Sequence, residues 1–267
     1  MKAHILVLLG AGIAIAATDP GWQISKANQE MESGHPERAW KRYLRAEDEA
    51  LRRADRETWI AARCQRTELL LLSENLTAAD SLRPHLSPLG ETAIDSARIH
   101  LTAARVLLVA GHLTQAQEEA WSARLAAHSA DDDALEAACW IALSRSEFLQ
   151  GKGGAARQSL GQARNLADDE PHLTAQADLE EANQLPGTPD KALRLVRKAK
   201  ETFRQAHWPS GVLLSLEREG LLLEASGQRE TAFQAWSEAA ELASRLSLDA
   251  ALRRAREHLQ APPPAAR

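Results

Sequence analysis

The feature that most constrains this chain is a recurring small-residue pair: a glycine followed five residues later by an alanine. It appears as Gly34/Ala39, Gly111/Ala116, Gly151/Ala156, Gly187/Ala192 and Gly227/Ala232. Seven residues beyond each alanine comes another: Ala46, Ala123, Ala163, Ala199 and Ala239. From Gly111 the glycines step by 40, 36 and 40 residues, and the 77 residues between Gly34 and Gly111 leave room for one further unit turning at Ser73-Glu74-Asn75. A period of this size is the mark of a stacked array, in which each unit buries its apolar face against its neighbours. The glycine suits a tight chain reversal because it adopts positive φ at little cost. Alanines at helical spacing let two helices approach closely, and the larger residues between them (Tyr43, Leu160, Val196 and Trp236) fill the gap to the next unit.

Composition agrees with helices. The chain is 44% hydrophobic and 26% charged, so it has the apolar content to fold, and its residues are mostly strong helix formers. Six hairpins of about 40 residues account for nearly all of its 267 residues. The hairpins turn near Gly34, Glu74, Gly111, Gly151, Gly187 and Gly227; an amphipathic segment from Leu248 to Gln260 remains as a cap. Pro36 falls where a second helix starts, Pro84 falls where a helix must kink or end, and Asp131-Asp132-Asp133 suits a helix N-terminus.

The two ends differ from the array. Lys2, the apolar run Ile5–Ala17 and the small-x-small sequence Ala14-Ile15-Ala16 have the form of an export signal. The apolar run is too short to cross a bilayer core of about 30 Å. The expected organisation is a leader over 1–17, a helical domain over 18–260 and an extended proline-rich tail over 261–267, with the mature chain periplasmic or secreted. In an oxidising compartment Cys64 and Cys139 would be able to pair, but they fall two units apart. Stacked helices lie about 8–10 Å apart, beyond the reach of a disulfide. Both are expected to be buried thiols.

Trp140-x-x-Leu143 followed by Gly151, Ala156, Leu160 and Ala163, and Gly220, Leu223, Gly227, Ala232, Trp236 and Ala239 in the last unit, resemble the tetratricopeptide repeat family. The resemblance covers residues 20–246. The period is longer than the family's usual 34 residues, and the proline that closes each family unit is mostly missing. The resemblance implies an all-α, right-handed superhelical solenoid of about six antiparallel helical hairpins plus a C-terminal capping helix. Its first helices would line a concave groove where peptides or partner proteins lie. It implies no catalysis and no cofactor.

The chemistry-bearing residues fit that reading. The nine histidines are scattered without metal-ligand spacing, and no nucleophile or phosphate-binding motif occurs. A net charge of −5 argues against a general nucleic-acid binder. Register counted from the turn glycines places Arg98, Thr102 and Arg105 on the exposed side of the third first-helix and Arg145 at the equivalent place one unit later. The same surface carries Glu181 and Glu217 toward the C-terminal end, so the groove is expected to be positive in the middle and acidic beyond. Aligned arginines hold carboxylates by bidentate bonds, which points to a protein partner with an acidic segment or C-terminal carboxylate. A set of mutually paired charges is the plainer alternative. Trp40, Trp121, Trp140 and Trp236 are expected to pack between helices. Trp22, Trp59 and Trp208 near first-helix starts leave open a second reading, a scaffold for exported polysaccharide or cell-wall glycan. The run Lys191–Arg204, with six positive charges, is expected on the solvated outer side.

Overall fold

The structure, a computed structural model, describes residues 19–82, 92–167, 170–185 and 187–260. The leader, the segment holding Pro84, Pro88 and Gly90, Pro186 and the tail lie outside the described residues. Among the described residues there are thirteen helices and no strand. They are α1 (Pro20–Glu32), α2 (Pro36–Arg52), α3 (Arg56–Leu72), α4 (Leu76–Leu82), α5 (Ala93–Val109), α6 (Leu113–Ser129) and α7 (Asp133–Leu149). Then follow α8 (Gly153–Leu166), α9 (Pro171–Asn183), α10 (Pro189–Gln205), α11 (Pro209–Ala225), α12 (Arg229–Arg245) and α13 (Asp249–Gln260). Each packs on the next, so the chain is a helical repeat solenoid of six hairpins closed by α13. Among the described residues no helix is long and apolar enough to cross a membrane.

The small-residue pairs do what their spacing requires. The ten alanines that follow the turn glycines are buried to 2% exposure or less, as are Tyr43, Leu160 and Val196 between them. Two further glycines sit inside helix α11 for a different reason. A Cβ on Gly211 would stand 2.6 Å from the Phe203 ring, and one on Gly220 would stand 2.5 Å from the Trp236 ring. Those distances are far inside van der Waals contact, so the aromatic rings occupy the space a side chain would take.

Most of the described turns use one motif. Gly34, Gly111, Gly151 and Gly227 hold φ of 78°, 78°, 79° and 75°. At Gly111, the Gly111 N–H donates to Leu108 O at 3.2 Å and the His112 N–H to Leu107 O at 2.9 Å. This pair of bonds satisfies carbonyls that a helix end leaves open. The same pair of bonds closes helices at Ala54, Glu74, Asp131, His207 and Ser247, which all hold positive φ without being glycine. At Asp55 and Asp132 the residue after the turn also caps the next helix, accepting from the Thr58 and Leu135 N–H groups. Two helices therefore join through three residues. The fifth turn departs from the rule: α9 ends at Asn183 and α10 begins at Pro189, so five residues join them instead of three.

Over the first five units consecutive first helices touch: α1 with α3, α3 with α5, α5 with α7 and α7 with α9; Arg218 of α11 continues the series by its bond to the Ala182 carbonyl of α9. Among the described residues no comparable contact joins consecutive second helices. Elements that touch lie on the inside of a bend and elements that splay lie on its outside, so the first-helix side is the inner face.

Candidate functional site

The inner face is built from stripes at i, i+3, i+4 and i+7 on the first helices. On α5 the stripe runs through Arg98, Arg105 and Val109; on α7 through Arg145 and Leu149; on α11 through Leu214, Glu217, Arg218 and Leu221. Val109, Leu149, Leu214 and Leu221 are exposed apolar side chains, a mixture of apolar and charged surface typical of a recognition face.

The charged residues on this face answer one another across successive units. Arg98 lies 3.7 Å from Glu57 of α3, and Arg105 donates to Glu68 of α3 at 2.7 Å. Burial disfavours the charged form of Arg105, but the attraction of Glu68 and the hydrogen bond to it outweigh that cost and raise its pKa. Arg145 approaches Glu180 of α9 at 3.9 Å, and Arg218 donates to the Ala182 carbonyl at 3.3 Å. At the far end Arg254 of α13 donates to Glu217 at 2.9 Å, while Glu224 accepts from the Trp236 indole at 2.9 Å and lies 3.0 Å from His258 Nδ1. The expected positive centre is thus replaced by an alternation of cation and carboxylate. Arg145 is the most accessible of the three arginines singled out from the sequence, its side chain 56% exposed over a Glu180 that is 7% exposed.

Two expected residues lie elsewhere. Thr102 is 3% exposed, because α3 and α5 pack directly; beside it the Cys64 thiol of α3 donates to the Arg98 carbonyl of α5 at 3.8 Å. Glu181 faces away from the groove, accepting from Arg164 of α8 at 2.7 Å and Lys191 of α10 at 2.9 Å. The longer fifth turn breaks the register carried back from Gly187, and Glu180 takes the inner position instead. Glu217, expected on the exposed groove surface, is mostly covered, its side chain 13% exposed beside Arg254. Burial pushes its carboxyl up to about 7 even with Arg254 beside it.

A carboxyl raised in the fold holds its proton after the unfolded chain has lost its own, so its contribution to stability falls as pH rises from about 4.5 to about 7. The chain is therefore expected to lose stability over that window relative to its Glu217→Gln variant. Urea denaturation at pH 4.5, 6 and 7.5 reads the difference, and parallel curves for the two proteins would contradict it.

The interface between second and first helices holds a separate set of charges that the sequence pattern had assigned to solvent. Lys198 pairs with Asp178 at 2.8 Å and Arg197 with Glu219 at 2.7 Å, while Arg204 meets the exposed Glu238 of second helix α12 at 3.1 Å. Lys200 also bonds Glu219. The basic helix α10 is thus held to buried carboxylates of α9 and α11. Earlier in the array Arg66 pairs with Glu47 and stacks 4.4 Å over the Trp40 ring.

Cys64 and Cys139 are buried unpaired thiols. Burial pushes them up to about 11 and about 12, which makes them inert. The three tryptophans left open from the sequence are half-buried. Trp22 lies beneath Lys26 and Arg42, Trp59 beneath Arg63, and Trp208 meets Phe203 and His172 edge-on at 5.4 Å. Trp121, expected in the core, is 38% exposed; it meets Trp140 edge-on, with Arg124 5.2 Å from both rings. Among the described residues no group of three or more His, Cys, Asp or Glu gathers to hold a metal ion.

No protein-family model matches this chain, and no curated protein matches it.

Proposed function

We propose that the chain is an exported, tetratricopeptide-like adaptor that holds a segment of a partner protein along its first-helix face. The observation that carries the reading is the stripe of Arg145 and Leu149 on α7, with Val109 on the neighbouring first helix α5. It combines a solvent-accessible guanidinium, whose nearest carboxylate is 3.9 Å away, with exposed apolar side chains on the inner side of the bend. Such a surface fits a peptide carrying apolar side chains and a carboxylate. The neighbouring arginines are tied to their own carboxylates and serve to hold the helices in register. Export rests on Lys2, the apolar run after it and Ala14-Ile15-Ala16.

The test is affinity capture from envelope extract, with the mature chain and its Arg145→Glu variant as baits once circular dichroism shows equal helix content. The reading expects a protein retained by the unmodified bait and reduced about tenfold or more by Arg145→Glu, since losing a charge-assisted contact and facing a like charge costs about 1.4 kcal/mol or more. Equal capture by both baits would remove the inner face as the contact surface.

A further inference from the structure

Three contacts join parts of the chain that the order of units keeps far apart. The turn at Gly34 lies against the end of α12, where a Cβ on Gly34 would sit 3.7 Å from the Leu246 side chain and 3.9 Å from the Arg245 carbonyl. Leu72, the last residue of α3, packs against the C-terminal apolar cluster that includes Leu246, Leu248 and Ala251. Arg254 of α13, already bonded to Glu217, also pairs with Glu74 in the turn between α3 and α4. The curve of the array has brought its two ends together.

Glu74 adds an observation of a different kind. It holds φ of 58° at the turn position that Gly34, Gly111, Gly151 and Gly227 occupy in other hairpins. A side chain in that conformation is strained, and glycine would relieve it. Ala54, Asp131, His207 and Ser247 hold the same conformation at other turns, so the φ belongs to the turn motif; what sets Glu74 apart is that its carboxylate reaches Arg254 at the far end of the array.

We infer that α13 is a clasp. Through Arg254 it ties the last unit to the second, and while closed it bars bulky molecules from the inner face; released, it lets the ends part and opens that face. Arg254 and Glu74 are both partly exposed, with side chains 38% and 44% accessible, so the tie is weak enough to open. Part of the contact is apolar, through Leu72 and Leu246, and it closes again without a covalent link. The clasp gives the partner surface proposed above a gate, and it rests on that reading only for its purpose; the test below needs no partner.

The probe is a maleimide-linked polymer of about the bulk of a small protein domain, reacting with Leu149→Cys on the inner face. Leu125→Cys, exposed on second helix α6, is the outer control. The native thiols are buried and unreactive. Labelling of Leu149→Cys is expected to be slow in the otherwise unmodified chain and about tenfold faster when Glu74→Arg sets two cations against each other. Glu74→Gly should also accelerate it, although glycine relaxes the turn and so spares the fold. Leu125→Cys should react at one rate throughout. The clasp is overturned if Leu149→Cys labels equally fast with and without either substitution. It is overturned as well if Leu125→Cys accelerates by the same factor, because the array would then be loosening as a whole.

Discussion

Replacing Trp236 with alanine is expected to destabilise the array by about 3–5 kcal/mol, the range for removing a large buried aromatic side chain. Trp236 is 3% exposed within the C-terminal apolar cluster. Its ring fills the space left by Gly220, its indole N–H donates to Glu224 at 2.9 Å, and it stacks on His258 of α13 at 4.0 Å. One side chain thus joins α11, α12 and α13. In a linear array stability is a sum of units and nearest-neighbour interfaces, so the loss concentrates at the end of the chain. Urea denaturation gives the total, and hydrogen exchange should show α11 to α13 opening before α5 to α8. The converse substitution, Gly220→Ala, drives a methyl into the same ring, and the clash outweighs the gain in helix propensity. A Trp236→Ala protein within about 1 kcal/mol of the parent would mean that the ring carries little of the packing assigned to it.

The second large effect is expected at Glu219. Its side chain is 6% exposed and accepts from both Arg197 and Lys200, the latter 15% exposed. Burial opposes ionisation of this carboxyl, yet the hydrogen bonds from Lys200 and Arg197 prevail and hold it below the usual carboxylate range. Glu219→Ala leaves a largely buried ammonium without its partner and is expected to cost about 3–5 kcal/mol. Glu219→Ala/Lys200→Met removes both charges and should recover much of that loss, because the attraction between buried ions is largely offset by their desolvation. The dependence on pH follows from the depressed value. The contribution of Glu219 is present above the unfolded carboxyl pKa and is lost as pH falls through the lower folded one. A double variant no more stable than Glu219→Ala alone would place the cost in lost packing rather than in the unpaired charge.

Both effects fall on residues of unequal legibility. Trp236 announces itself, because Ala232, Trp236 and Ala239 stand at helical spacing after Gly227. Glu219 carries no such mark: it lies in a run of polar and apolar residues, and its partners are on another helix. The same divide separates the candidate site residues. Arg98, Arg105 and Arg145 could be placed on the inner face by counting back from a glycine, since a three-residue turn transmits register without loss. The five-residue turn at 184–188 does not, and that is why Glu180 rather than Glu181 meets Arg145. Thr102 escaped because burial between neighbouring first helices depends on how closely those helices approach.

The period of the small residues, read from the sequence by itself, determined the helices, their pairing into hairpins and the buried alanine seams. These are local matters: a turn conformation open to glycine and a 3.6-residue helical repeat act within about 40 residues, and every unit repeats them. Only the tertiary structure decided which charges answer which, because a partner one unit away is chosen by helix spacing and crossing, to which an exposed charge pattern is blind. The tertiary structure alone also brought Gly34 to Leu246 and Glu74 to Arg254. Small rotations between units accumulate over the whole array, and no single repeat contains the information on where their sum returns the chain.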